Sequence, residues 1–268
     1  MSVSQILYVA GVARSGTSWL GQLINSSPLV RFRFQPLFSY EFKNKINEDS
    51  TSEEFKTFLN ELFETETEFL TQSGKAQSGE YPVFAKTDQQ SYLAFKENRY
   101  QSVIEPLLRK VPELKLIGII RNPCAVLNSW QKNPKEFPPG SELRKEWRFA
   151  NCKNKGNEDY FGYFKWKEVS NLYLDLMAKY PDRVFVVNYQ QLVAEPVELT
   201  KKIFKFAGLP FGEQTENFLL KSTTVHNESY YSVYKSAEDT DKWKTEFDPY
   251  IISEIYADLK GTRLEQFL

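Results

Sequence analysis

Between Tyr8 and Leu20 the chain reads Tyr-Val-Ala-Gly-Val-Ala-Arg-Ser-Gly-Thr-Ser-Trp-Leu, and no other stretch narrows the choice of folds as far. An apolar run of strand length, Ile6–Val12, meets two glycines spaced Gly11-x-x-x-x-Gly16. Leu20, Leu23 and Ile24 then recur at helical spacing. A strand that turns into a helix through small residues aligns successive backbone N–H groups as a nest for phosphate oxygens. The positive end of the following helix faces the same anion. This loop departs from the nucleotide-hydrolysing type. Thr17 stands where a Lys would follow the second Gly, and the cation, Arg14, lies inside the loop. The apolar run Leu116–Ile120 leads into Arg121 instead of the Asp that would hold Mg²⁺.

Five β-rich runs predict strands: Ile6–Val12, Val30–Phe34, Val83–Lys86, Leu116–Ile120 and Val184–Tyr189. Several are continuously apolar, as in a sheet covered by helices on both faces. Helical patterns lie between them. Phe55, Phe58, Leu59, Leu62 and Phe63 share one face behind a Thr51/Glu54 capping box. A later pattern stops at Gly208, and the last starts at Pro249 behind Asp248. The expected fold is α/β: one P-loop-type domain over residues 1–268, with a mostly parallel central sheet of about five strands flanked by helices. Two stretches, about 38–81 and 131–163, fit the sheet poorly and are expected to be lids on the acceptor side. Pro138-Pro139-Gly140 forbids a regular element across the second.

Composition removes several functions. Lys and Arg total 34 against 35 Asp and Glu, a net charge of −1, which argues against a nucleic-acid or membrane-binding chain. His226 is the single histidine, and Cys124 and Cys152 form no CxxC pair, so a metal site is not expected. No run approaches the ~18 apolar residues of a membrane span. Few residues precede the first strand, and the cytoplasm is the expected location.

Arg14-Ser15-Gly16-Thr17-Ser18-Trp19 resembles the 5′-phosphosulfate loop of sulfotransferases that use 3′-phosphoadenylyl sulfate (PAPS). Lys115–Ser129 is similar to that family's 3′-phosphate element, a strand ending in Arg-Asp/Asn-Pro with a Ser two helical turns on. Here the matching residues are Arg121 and Ser129. The spacing has a physical reason: a strand-end guanidinium is a bidentate phosphate donor, and two turns of helix return the hydroxyl to the same side. Tyr189 resembles the family's late tyrosine near adenine, and Trp19 the Trp that stacks on that base. Tyr234-Lys235 and Lys242-Trp243-Lys244 look like the segment that closes over the cofactor, which implies that Lys235 binds the cofactor.

The resemblance implies transfer of a sulfuryl group from PAPS to a hydroxyl, or an amine, with release of adenosine 3′,5′-bisphosphate (PAP) and no metal. Such a transfer needs cations at the leaving oxygen and a base at the acceptor. Arg14 is the first cation. Lys86 is the expected second, because Phe84-Ala-Lys-Thr-Asp88 resembles the family's strand-end Lys-Thr-His. That places Asp88 at the position of the base. Gln35 falls where tyrosylprotein-type relatives carry a Glu, and an amide cannot abstract a proton. Gln35 and Phe38 are assigned to the acceptor side, with Phe34, Tyr40 and Phe42 at its entrance. Lys132, Lys135, Arg144, Lys145 and Arg148 lie on the second lid. Such a surface suits a carbohydrate or small-molecule acceptor. Two alternatives stay open: a Mg²⁺-dependent nucleotide kinase or NTPase, and a non-catalytic PAP- or PAPS-binding protein. Oligomeric state is not legible.

Overall fold

The computed structural model describes residues 3–224, 233 and 241–268. Five parallel strands form one sheet: β1 (Gln5–Ala10), β2 (Val30–Phe34), β3 (Tyr92–Glu97), β4 (Leu114–Ile120) and β5 (Val184–Asn188). Their order across the sheet is β2-β3-β1-β4-β5, so β1 is central.

The strand period of two divides the apolar residues between two cores. Ile6, Tyr8 and Ala10 pack with helices Ser52–Glu64, Ile104–Lys110, Pro123–Gln131, Tyr163–Lys179 and Pro249–Leu259. Leu7 and Val9 pack on the opposite face with helices Thr17–Asn25, Pro196–Ala207 and Glu213–Thr224. Both faces of the sheet are therefore dry, which explains why its strands read as apolar runs.

The expected helix signals act as caps. Thr51 and Glu54 close a reciprocal capping box on helix Ser52–Glu64. Gly208 takes the left-handed conformation, φ 75°, behind helix Pro196–Ala207, and Asp248 accepts from the Tyr250 N–H. Asn122 accepts from the N–H groups of Cys124 and Ala125 with Pro123 at the first helical position. A cap of this kind contributes about 1 kcal/mol and makes the turn after β4 sharp.

One strand is not where the sequence pattern predicts it. Val83–Lys86 lies outside the sheet, with Val83 78 % exposed, and the third strand is Tyr92–Glu97. The Gln214 side chain holds Ala85 by both its N–H and its carbonyl, at 2.8 and 3.2 Å, so a side-chain amide takes the place of a strand partner. Tyr92–Glu97 instead pairs with β1 on one side and β2 on the other.

Candidate active site

Because all five strands are parallel, their C-terminal ends share one edge of the sheet, where α/β proteins gather their ligand sites. Each strand delivers a residue there. Gln35 follows β2, Lys96 lies at the end of β3, and Arg14 sits in the loop after β1. Arg121 follows β4 and Tyr189 follows β5. All five line one cavity of about 750 Å³.

The loop at residues 11–16 is shaped by two residues with positive φ, Arg14 at 72° and Gly16 at 93°. A Cβ on Gly16 would stand 2.6 Å from the Tyr189 ring, so this position requires glycine twice over. Helix Thr17–Asn25 starts from Gly16 with no side-chain cap and no acidic residue in its first turn. Its positive end is therefore directed at the cavity without internal compensation. The Ser15 hydroxyl is buried and has no hydrogen-bond partner among the described residues, and the same holds for Nε of Arg121. Buried donors left in this state fit an anion.

Arg121 is oriented from two sides. Its Nη1 donates to the Arg14 carbonyl at 3.1 Å, and its guanidinium lies 4.5 Å over the Tyr189 ring. Trp166 donates to its carbonyl oxygen at 2.9 Å. Ser129 lines the cavity and accepts from Nε of Arg14 at 3.0 Å. Trp19 is fixed by its indole N–H to Ser222 Oγ, 2.9 Å, and stands edge-on to Tyr189 with centroids 6.2 Å apart. The expected grouping of Arg14, Gly16, Thr17, Ser18, Trp19, Arg121, Ser129 and Tyr189 around one cavity is what the fold produces, with Ser15 buried beneath it. Lys235, like Tyr234 and His226, lies outside the described residues.

Lys86 and Asp88 are not brought to this cavity. The Lys86 ammonium donates to Asn25 Oδ1 (2.9 Å), Ser27 O (3.1 Å), Val30 O (2.9 Å) and Asn25 O. It holds the turn between helix Thr17–Asn25 and β2. Asp88 is exposed on the segment that leads to β3. The reason is the displaced strand: the lysine at the end of β3 is Lys96. It is buried, lines the cavity and stands 4.5 Å over the Phe34 ring. Burial pushes its ammonium below the usual lysine range, and the neighbouring Glu97 opposes that shift.

Reading Lys-Thr-His onto this strand end gives Lys96-Glu97-Asn98, with an amide in third place. Asn98 Oδ1 accepts from Thr17 Oγ1 at 2.8 Å. The Glu97 carboxylate points to the opposite face and accepts the backbone N–H groups of Asn98, Arg99 and Leu37. Burial pushes it above the ordinary carboxylate range. Lys96 carried a signal in the sequence, the apolar tetrad Tyr92–Phe95 ending in a charge.

Both long insertions reach the cavity. Phe38 and Lys75 come from the first, and Lys132, Lys135, Glu136 and Phe161 are among those from the second. Gln35 and Phe38 line the cavity, while Phe42 is buried against Phe58 and Tyr40 is fully exposed. Arg144 and Arg148 pair with Asp248 and Glu254 and do not line the cavity.

A glycine loop with Arg14, a second cation, Arg121, one strand away and the Trp19–Tyr189 aromatic pair line one cavity at the strand ends of an α/β fold. A family model described as "Sulfotransferase family" matches residues 7–213, and the chain belongs to that family. It is 27 % identical over 147 residues to carbohydrate sulfotransferase 3 of Tetronarce californica, covering 49 % of this chain and 30 % of that protein. Its identity to the Mus musculus protein of the same name is 25 % over 163 residues, 58 % of this chain and 34 % of the other. The chain thus spans about a third of the length of these relatives. Among solved structures, mouse sulfotransferase SULT7A1 complexed with PAP has a TM-score of 0.58 at 15 % identity, over 98 % of this chain and 87 % of that one. The sulfotransferase domain of the Synechococcus PCC 7002 olefin synthase has a TM-score of 0.52 at 19 % identity, over 96 % and 95 %. At these identities the likeness is one of fold.

Proposed function

We propose that the chain transfers a sulfuryl group from PAPS to a hydroxyl of a carbohydrate, releasing PAP. The observation that carries this reading is that the glycine loop with Arg14 and the strand-end Arg121 with Ser129 line one cavity. The loop at 11–16, with Arg14 and the N-terminus of helix Thr17–Asn25, would hold the 5′-phosphosulfate. Arg121 and Ser129 would hold the 3′-phosphate, and Trp19 with Tyr189 would flank the base. The orphaned Ser15 hydroxyl and Arg121 Nε fit such a ligand. PAPS supplies an activated sulfuryl group whose leaving group is a phosphate oxygen. The chain's own contribution is electrostatic: Arg14 and Lys96 stand where negative charge grows on that oxygen.

A carbohydrate acceptor is favoured by the cavity walls, where Phe34, Phe38 and Phe161 offer apolar faces and Lys75, Lys135 and Lys153 offer donors. The carbohydrate sulfotransferases among its relatives point the same way. Among the described residues there is no cluster of three His, Cys, Asp or Glu side chains able to hold a metal, and no helix long and apolar enough to cross a membrane.

Titration calorimetry with PAP, beside ADP and ATP with and without Mg²⁺, tests the donor. Tight binding of PAP without metal is expected. Magnesium-dependent ATP binding with no PAP binding would overturn the reading. Transfer from PAPS carrying radiolabelled sulfur to a panel of unsulfated polysaccharides, oligosaccharides and small non-carbohydrate alcohols and phenols, with and without EDTA, tests the acceptor class.

A further inference from the structure

The strand-end triplet leaves this enzyme without an obvious base, since Asn98 stands third and cannot take a proton. Three carboxylates line the cavity among the described residues: Glu136, Asp159 and Glu246. Asp159 is committed, paired with Arg99 at 2.6 Å and accepting the N–H groups of Lys155 and Gly156. Glu246 is committed too, paired with Lys132 and accepting from Asn128. Glu136 differs. Its Oε2 is buried and accepts no hydrogen bond from any described residue. Nε of Arg14 is 3.9 Å from it, close enough for ionic attraction and too far for a hydrogen bond.

The main chain around Glu136 is firmly held. Its N–H donates to the Asn133 carbonyl at 2.9 Å, and its carbonyl accepts the Trp130 indole N–H at 3.1 Å. Trp130 is buried on helix Pro123–Gln131, the helix that carries Ser129, and packs edge-on against Phe137. The backbone that carries the carboxylate is thus held beside Ser129 and Arg14. The carboxylate also acts electrostatically on the buried Lys96.

From this arrangement we infer that Glu136 is the general base. The inference rests on the sulfuryl-transfer reading. In the step, the acceptor O–H bond breaks and its proton passes to Oε2 of Glu136. The acceptor oxygen bonds to sulfur, the bond from sulfur to the phosphate oxygen breaks, and its electron pair stays on that oxygen beside Arg14 and Lys96. The proton then leaves to solvent. The second insertion therefore supplies a catalytic residue as well as cavity wall.

The test compares wild type, Glu136→Gln and Glu136→Asp by PAP calorimetry and by turnover of PAPS, with a mixture of unsulfated polysaccharides and with water as acceptors. Glu136→Gln is expected to lower kcat by roughly 10²–10⁴-fold. PAP affinity should be unchanged or higher, because a negative charge beside Arg14 has gone. Glu136→Asp, which keeps a carboxylate on a shorter stem, should retain part of the activity. Near-wild-type turnover in Glu136→Gln would overturn the assignment, as would loss of turnover and PAP binding together, the mark of a structural brace. Higher PAP affinity with full turnover would instead make Glu136 a plug on the anion site. Loss of turnover in His226→Asn with retention in Glu136→Gln would move the role to the histidine. A wild-type chain that binds PAP but turns over no PAPS would defeat the transfer reading itself, and the base with it.

Discussion

Arg121 reaches across 107 residues of sequence to donate from Nη1 to the carbonyl oxygen of Arg14, 3.1 Å away. The residue proposed for one phosphate thereby braces the loop proposed for the other. The loop after β1 and the turn after β4 are thus one mechanical unit, joined by the side-by-side pairing of the two strands.

That coupling makes Arg121→Ala a sharp test. Losing a charged donor costs about 1.5–3 kcal/mol, or roughly 10- to 150-fold in PAP affinity. Arg121→Lys should recover only part of it, since an ammonium cannot serve the carbonyl and a phosphate with a fixed fork. Calorimetry at two salt concentrations checks both, and an unchanged affinity in Arg121→Ala would remove this residue from the cradle.

Gly16→Ala should disable the loop without touching any charge. Its φ of 93° and the Tyr189 ring 2.6 Å from the added Cβ force a shift in one of the two. A cost of about 1–3 kcal/mol is expected, together with weaker PAP binding. Denaturant melts and calorimetry on the same sample read both effects.

The two lysines separate structure from chemistry. Lys86→Met strands oxygen atoms of Asn25, Ser27 and Val30 that now accept from the ammonium. It should cost roughly 2–3 kcal/mol and lower Tm by roughly 5–10 °C while kcat holds. Lys96→Met should do the reverse, with kcat down 100-fold or more at the leaving oxygen. Its Tm should stay close to wild type, because a buried ammonium already disfavoured by desolvation is being removed. Thermal melts beside PAPS turnover decide, and a matched pair of effects in both variants would contradict this division.

Acid should loosen the helix layer behind Arg121. Asp258 accepts from Lys167 Nζ at 2.7 Å and from the Tyr163 hydroxyl, and these bonds hold its carboxyl below the ordinary aspartate range. A carboxyl depressed in the folded state adds stability above its unfolded value, lost as pH falls through the folded one. The pair is partly exposed, so the gain of wild type over Asp258→Asn should be no more than about 1 kcal/mol. Urea titrations at neutral pH and below the carboxylate range should show the gap closing on acidification.

The contrast between Lys86 and Lys96 shows where sequence reading stops. Val83-Phe84-Ala85-Lys86 and Tyr92-Leu93-Ala94-Phe95-Lys96 are both short apolar runs ending in lysine, and only the first is followed by a Thr. Nothing local separates them. The second is a strand because it pairs with β1 and β2, partners far away in sequence, while the first is held by Gln214 outside the sheet.

By itself the sequence determined what depends on short-range chemistry. The phosphate loop with Arg14 and Gly16, the Arg121–Ser129 turn and the caps at Thr51, Gly208 and Asp248 are set by dihedral preference and helical spacing, which act over a few residues. Tertiary structure alone decided which lysine ends the third strand and which carboxylate faces the transfer site. Those choices turn on strand pairing and on where an insertion folds back over the sheet. Glu136 looks like any surface acid in the sequence, and becomes distinct only when Trp130 anchors its main chain and its oxygen is buried beside Arg14.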